Sequence, residues 1–392
     1  MHARVLASID AVTAEAWNAL SGDGSPFLRH EFLGALERQH CVGADSGWSP
    51  CHLVLEDKSE GESRPTLRAA LPLYRKLHSW GEFVFDFAWA QAYARHGIDY
   101  YPKLVSAIPF TPASGPRLLS QPGNDAADLR RALLDAALAY AADEGVSSLH
   151  VLFASADQAG ELHARGLLPR RDCQFHWHNR GYADFDSFLD TFTAGKRKKA
   201  RRERRRVAEA GIEFRTLRGS ELSVAEWRRI HALHTDTFLR HGHTPYLGVE
   251  FFLEIARTLP DSVVVQAALR GTRMVAAAIC FRGADTLYGR YWGANEDHHS
   301  LHFETCYHQG IEYCIREGLQ RFEPGTQGEH KVSRGFEPAL TWSAHWIADA
   351  RFANAIEAYL RREAAAVDEY AAEVAQHVPF KERAAIGRVV NQ

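Results

Sequence analysis

The 392-residue sequence contains no long apolar run and few cysteines. No stretch of about 18 uncharged apolar residues occurs, so the sequence predicts no membrane-spanning helix. The N-terminus, MHARVLASIDAV, lacks the basic start and apolar core of a secretion signal. The six cysteines are scattered and form no CxxC pair, which favours reduced thiols over a disulfide framework. These absences predict a cytoplasmic protein.

Metal-binding motifs are also missing, although the chain has 21 histidines. The sequence has no HExxH motif and no clustered cysteine ligands. The histidines cluster most densely at 231, 234, 241 and 243 and again at 298, 299 and 302. We interpret them as surface or capping residues and predict no metal site.

What is present is a soluble composition with one unusual segment. A hydrophobic content of 46% and a length of 392 residues are typical of a globular protein with two domains. The net charge is −3, yet Lys196–Arg206 (KRKKARRERRR) contains nine basic residues and one acid. So much positive charge in about three helical turns indicates an anionic partner, with a solvated basic helix as the alternative.

The sequence also repeats itself. The segment 25–32 (SPFLRHEF) is similar to 244–251 (TPYLGVEF), and 151–169 is similar to 320–338. Both copies share an Arg-Gly-x-x-Pro block, at 165–169 and at 334–338. The repeats predict two domains of one fold, 1–180 and 181–392, with the second beginning at a basic helix, 196–211.

The same order of elements is predicted in each copy. A long helix, 127–143 or 303–317, ends at a glycine, Gly145 or Gly318, which is typical of a helix C-cap. The first copy also contains an extra aromatic and proline-rich block of 37 residues, 83–119. An insert this rich in aromatics is not a disordered linker, and we interpret it as a binding surface, with padding of the core as the alternative.

Several stretches resemble a known family. These are YYPKLVSAIPFTPASGPRLL (100–119), RKKARRERRRVAEAGI (197–212), YGRYWGA (288–294), LHFETCYHQGIEYCI (301–315) and FEPGTQGEHKVSRGFEP (322–338). They resemble the FemAB-like group of peptidoglycan biosynthesis or recognition proteins, within the GNAT acyltransferase fold. The resemblance implies an α/β (α+β) chain with two tandem GNAT-like domains, each a central mixed sheet flanked by helices.

The implied activity is transfer of an acyl or aminoacyl group to an amine, with a peptidoglycan-precursor peptide as acceptor. Two alternatives remain open. One is a CoA-dependent GNAT N-acetyltransferase acting on a small molecule or peptide. The other is a non-catalytic protein that binds a cell-wall precursor or an anionic surface. We predict no tightly bound cofactor, and either acyl-CoA or aminoacyl-tRNA as cosubstrate.

Candidate catalytic groups are concentrated in the second copy. Where the first copy has Gly160-Glu161-Leu162, the second has Glu329-His330-Lys331. Acyl transfer to an amine needs a group that takes a proton, and His330, Glu329 and Glu304 are the candidates. For Glu304, a structural carboxylate paired with an arginine is an equal alternative.

Candidate binding residues lie in four places. They are Gly325, Gly328, Lys331 and Arg334 in the glycine-rich turn; Arg290 and Tyr291 in a partial match to a pyrophosphate loop; Tyr101, Lys103 and Arg117 in the insert; and Lys198, Arg201 and Arg205 in the basic helix. Glu296 and Asp297 follow the partial loop and would repel a pyrophosphate, which weakens the CoA alternative. Candidate partners of the basic helix are tRNA, CoA, a nucleotide- or lipid-linked muropeptide, and an acidic membrane surface.

Overall fold

The computed structural model describes residues 1–22, 24–57, 65–326 and 328–381. The chain forms two compact units. Unit 1 contains Met1–Cys173 and Leu340–Glu369, and unit 2 contains Gln174–Ala339 and the described residues from Tyr370 onward. The repeats alone predicted a single division, near residue 180.

Unit 1 is a mixed α/β unit. Its strands are β1 (His2–Leu6), β2 (Trp48–Pro50), β3 (His52–Asp57), β4 (Thr66–Leu71), β5 (Tyr74–Lys76), β6 (Lys103–Ser106), β7 (Leu119–Ser120) and β8 (Ser148–Ala154). Its helices are α1 (Ala14–Ser21), α2 (His30–Arg38), α3 (Phe87–Arg95), α4 (Ala126–Asp143) and α5 (Ala156–Ala164). Strands β1, β3, β4 and β7 form an antiparallel sheet, and β2, β5, β6 and β8 form a second sheet in which β6 and β8 are parallel.

The predicted long helix of the first copy is confirmed as α4. Its apolar residues recur on one face, and Leu129, Leu133, Leu134, Ala137 and Ala141 pack into the core of unit 1. Gly145 follows the helix with a φ of 61°, a left-handed conformation that glycine adopts without steric cost. The extra block folds as α3 and β6 with connecting loops, so it is an ordered part of unit 1.

Unit 2 repeats this layered arrangement. Its elements are β9 (Leu168–His178, entering from unit 1), α6 (Phe185–Asp190), α7 (Ala194–Glu209), β10 (Ile212–Arg218), α8 (Val224–Arg240), α9 (Val249–Thr258), β11 (Val263–Arg270), β12 (Arg273–Arg282), β13 (Thr286–Ala294), α10 (Leu301–Phe303), a π-helical turn (Glu304–His308), α11 (Gln309–Glu317), β14 (Arg321–Glu323) and a 3-10 helix (Glu329–Arg334). The sheet order is β10-β11-β12-β13-β14-β9. The predicted basic helix is α7.

The last strand of each copy completes the sheet of the other unit. Trp177 and His178 of β9 pair with β14 in unit 2. The strand that ends the second copy, β15 (Glu337–Ile347), pairs through Ala344–Ile347 with β8 of unit 1. The last described helix is α12 (Ala350–Ala375), whose residues Phe352, Ile356 and Leu360 are buried in unit 1. Each sheet is therefore built from residues of both copies.

Candidate active site

The candidate site lies in unit 2, where two parallel strands stop pairing. β13 and β14 pair in parallel only from Thr286 to Tyr288 and from Arg321 to Glu323. β14 then ends, while β13 continues to Ala294. Opposite β12, the register shifts so that Arg290 is the extra residue of a β-bulge. Such a break in the hydrogen-bond ladder releases backbone N–H and C=O groups from pairing and redirects a side chain. Binding and catalytic sites are therefore common at such positions.

The predicted glycine-rich turn follows β14 directly. Gly325 and Gly328 have φ values of 94° and 107°, which only glycine adopts readily. A Cβ on Gly328 would lie 2.1 Å from the ring of His330. The absence of a side chain at Gly328 thus leaves space for the ring of His330 to lie against the turn.

His330 lies at the surface of a cluster of rings. Its Nε2 is 2.8 Å from the Tyr307 hydroxyl, and its ring also contacts Phe303 and His302. Burial lowers the pKa of His330, and the positive charges of Arg334 and Lys331 lower it further. The imidazole is therefore neutral at pH 7, as a group that accepts a proton must be.

Lys331 points the other way, into the interior. Only 1% of it is exposed, and its ammonium group donates to the Gly325 carbonyl at 2.6 Å. Burial lowers the pKa of Lys331 to about 7, and the nearby charge of Arg290 contributes to the lowering. A lysine in this state gains a proton readily when an anionic group arrives beside it.

Arg334 is fixed from two sides. Its guanidinium donates to the His330 carbonyl at 2.6 Å and to Glu203 of α7 at 2.9 Å, and it lies 3.4 Å from the centre of the Phe303 ring. Only 4% of Arg334 and 6% of Glu203 are exposed. The acid that interrupts the basic run thus holds the residue that supports the His330 backbone, a role that the sequence analysis missed.

Glu304 is a carboxylate with its partners already in place. It accepts hydrogen bonds from His308 (2.9 Å), Gln309 (2.7 Å) and Arg204 (3.1 Å). Burial raises its pKa, but these partners outweigh burial and lower the pKa to about 2. Of the two predicted alternatives, this geometry matches the structural carboxylate paired with an arginine.

The structure separates Glu329 from the buried groups. Glu329 is exposed and accepts a hydrogen bond from Tyr370 at 2.9 Å. Tyr307, by contrast, was not among the predicted site residues. Its ring is buried, but its hydroxyl needs a partner, and that partner is His330. A tyrosine on a core-facing helical stripe was the available signal.

The basic helix α7 has two distinct faces. Ala200, Glu203 and Val207 are buried. The opposite face is exposed and carries Lys198, Lys199, Arg201, Arg202, Arg205 and Arg206. Arg201 pairs with Asp186 and Arg205 with Glu209, whereas Lys198, Lys199 and Arg202 have no ion pair within the described part of the chain. This face can bind an extended anion.

The predicted pyrophosphate loop has a different arrangement. Arg290 and Tyr291 lie in the strand, where burial lowers the pKa of Arg290 and Tyr291 packs against His234. The Glu296 carboxylate, which was expected to repel a pyrophosphate, is paired with Arg270, Arg273 and His298. These partners offset its charge, so the predicted repulsion is weaker than the sequence indicated.

The candidate residues of the insert lie in unit 1 and have protein partners. Lys103 is completely buried and donates to Ser79, Glu82 and Asp86. Arg117 donates to four backbone carbonyl groups, those of Ala113, Gly115, Pro116 and Leu152. Tyr101 is half-buried, and its hydroxyl is 2.8 Å from the Ser79 hydroxyl. The polar groups of these three residues are therefore engaged by protein partners within unit 1.

The described residues contain neither a metal-binding cluster nor a membrane-spanning helix. Residues 1–22, 24–57, 65–326 and 328–381 contain no group of three or more His, Cys, Asp or Glu side chains that could hold a metal ion. None of the described helices is long and apolar enough to cross a membrane.

The predicted fold of two tandem GNAT-like units is confirmed, and in unit 2 the parallel strands β13 and β14 separate at the candidate site. Solved structures with this fold include FemX, at 11% identity and a TM-score of 0.53, with 91% of this chain and 100% of that chain covered. The C-terminal domain assigned to a lysylphosphatidylglycerol synthetase from Agrobacterium fabrum gives 11% identity and a TM-score of 0.53, with 88% and 95% covered. No curated protein matches the sequence.

The chain belongs to the FemAB-like family. The model of this family, described as peptidoglycan biosynthesis/recognition, matches residues 8–382. The predicted family is therefore confirmed across nearly the whole chain. Membership of this family makes the protein an acyltransferase connected with peptidoglycan, as predicted from the sequence.

Proposed function

We propose that this protein transfers an aminoacyl group from a charged tRNA to the amine of a peptidoglycan-precursor peptide, with His330 as the proton acceptor. The observation that supports it most is the His330–Tyr307 pair, an exposed neutral imidazole at the edge of a buried cationic cluster. We place the reaction in the cytoplasm, where charged tRNA is made.

The chemistry needs one proton acceptor and one group that stabilises negative charge. The amine nitrogen attacks the carbonyl carbon of the aminoacyl ester, and a C–N bond replaces the C–O bond to the tRNA. His330 takes the proton that the nitrogen loses and gives it to the tRNA oxygen as the C–O bond breaks, so the imidazole is neutral again at the end. The negative charge on the carbonyl oxygen would favour the protonated form of Lys331, whose pKa of about 7 lets it respond.

The other two candidates fit the role of the base less well. A carboxylate with a pKa of about 2, such as Glu304, is a weak proton acceptor near neutral pH. Glu329 is exposed and directed to Tyr370 rather than to the Tyr307–His330 pair. His330 is the candidate whose protonation state and exposure both suit the reaction.

The donor proposal rests on α7. Its exposed face carries cations without ion pairs within the described residues, on a helix whose opposite face is anchored by Glu203 and Arg204. A polyanion such as tRNA can span this face, and binding should weaken steeply as salt increases. The variant K198Q/R202Q/R205Q should flatten the plot of log affinity against log salt by about 0.7–0.9 per lost phosphate contact.

The decisive experiment measures transfer to a nucleotide-linked muropeptide. The variant H330A should lower kcat by about 10²–10⁴-fold, and the wild-type rate should fall in acid as His330 becomes protonated. His243 is exposed in the same unit, so H243A is the matched control and should keep the wild-type rate. Full activity of H330A would remove His330 as the base. Transfer from acetyl-CoA but not from charged tRNA would overturn the donor proposal.

A further inference from the structure

One loop of unit 1 buries its acidic side chains and exposes its apolar ones. In the segment 77–87, Ser79, Glu82 and Asp86 are at most 3% exposed. Leu77, Trp80 and Phe85 are 54%, 58% and 58% exposed. An ordinary surface loop shows the reverse, because burying carboxylates and exposing aromatic rings are both unfavourable.

Buried polar contacts hold the loop in this orientation. Lys103 of β6 donates to Ser79 at 2.9 Å, to Glu82 at 2.8 Å and to Asp86 at 2.5 Å. The Trp80 carbonyl accepts from the Trp48 indole and from Lys76, each at 3.2 Å. The loop is thus fixed from beneath through its backbone and acidic side chains.

The two exposed rings, Trp80 and Phe85, are linked through the half-buried ring of Phe87. Trp80 lies 5.3 Å from Phe87, and Phe87 stacks on Phe85 at 5.9 Å, measured between ring centres. Between them, Phe83 has a φ of 61°, a conformation that bulky residues rarely adopt. A strained backbone that presents apolar rings to solvent is expected where those rings serve a function.

We propose that Leu77, Trp80 and Phe85 form an insertion surface that docks on a lipid bilayer. Three side chains expose at most a few hundred Å², whereas a stable dimer or protein complex buries about 800 Å² on each partner. A bilayer requires no such complementary area, and Trp and Phe are favoured at its interface.

The charges of the loop suit this partner. Both of its acids are buried beneath the rings, with Lys103 between them, so the loop presents no exposed carboxylate to anionic headgroups. Such a surface would hold unit 1 at the membrane without a spanning helix. The inference concerns a surface of unit 1 and does not depend on the reaction proposed for unit 2.

The test is flotation of the full chain with vesicles of equal parts phosphatidylglycerol and phosphatidylethanolamine. The wild type should float, and W80A/F85A should bind at least about tenfold more weakly. The matched control is V224A/L239A, which removes two side chains that are 50% and 57% exposed in unit 2 and should float like the wild type. Because apolar contacts are not screened, binding should persist in high salt.

Three outcomes would overturn the inference. One is undiminished flotation of W80A/F85A. A second is binding that is lost in high salt and is insensitive to W80A/F85A, which would assign it to α7. A third is a wild-type dimer that W80A/F85A converts to a monomer, measured by light scattering, which would make the rings a contact between two copies. Quenching by brominated lipids gives a second readout, and it should be smaller in W80F than in the wild type.

Discussion

Lys103 in unit 1 and Lys331 in unit 2 are both buried, but their surroundings differ. Lys103 in unit 1 lies between two carboxylates, and Lys331 in unit 2 lies near Arg290 and donates to a carbonyl group. Burial opposes the charge of both. Glu82 and Asp86 outweigh burial and raise the pKa of Lys103, whereas the pKa of Lys331 falls to about 7. Lys103 thus fixes a loop of unit 1, whereas Lys331 can gain or lose its proton near neutral pH.

Replacing each lysine by methionine should give the largest difference in stability between the two variants. K103M removes the ammonium group that donates to two buried carboxylates and should lower the free energy of unfolding by about 3–5 kcal/mol. K331M removes a charge that burial disfavours, so at pH 7 its free energy of unfolding should equal or exceed that of the wild type. Urea unfolding followed by tryptophan fluorescence measures both.

The pH dependence of the K331M effect has a definite sign. The unfolded lysine keeps its proton up to its ordinary pKa of 10.5, and the folded one loses it near 7. The unfolded state therefore binds more protons between these values, and wild-type stability gains a contribution as the pH rises through them. K331M should lack that gain. A K331M protein as destabilised as K103M would show that the two lysines have the same role.

Glu304 allows a second comparison of a buried charge with an exposed one, within unit 2. Its folded pKa of about 2 lies below the ordinary 4.5, so its carboxylate contributes stability above pH 4.5 and loses that contribution as the pH falls toward about 2. E304Q should lower the free energy of unfolding by about 2–3 kcal/mol at pH 7 and by progressively less in acid. Glu312 pairs with the same Arg204 but is 41% exposed, so E312Q is the control and should cost at most about 1 kcal/mol.

The smallest effect is expected at Glu203, which among the described residues is linked to the site through Arg334. In E203A the guanidinium loses its fixed partner, and the His330 backbone loses part of its support. We expect about a tenfold fall in kcat with KM nearly unchanged, and partial recovery in E203Q. E209A changes an exposed glutamate of the same helix and should match the wild type. A pure rise in KM in E203A would assign the residue to substrate binding instead.

Much of the fold followed from the sequence, because periodicity and glycine positions are local signals. The long helix before Gly145 and the basic helix were predicted close to their observed bounds. The strand with which each last strand pairs was not predicted. An aromatic strand fits either sheet equally well, so its pairing depends on long-range contacts that local sequence patterns do not show. In the site, adjacency in sequence indicated Glu329, His330 and Lys331, but burial separates them. The role of Glu203 was not predicted, because a single acidic residue within a basic segment is equally well explained by local charge compensation.

The pairing of the last strands also constrains how the chain is made. The segment 174–178 is ready for its sheet before most of unit 2 has been synthesised. β8, by contrast, waits for Ala344–Ile347, so the first unit to leave the ribosome is the last to close its sheet. Until then one edge of β8 offers open backbone groups to any neighbouring chain. A fragment that stops near residue 180 should retain that open edge and aggregate, so the two copies are inseparable as folding units although they repeat one design.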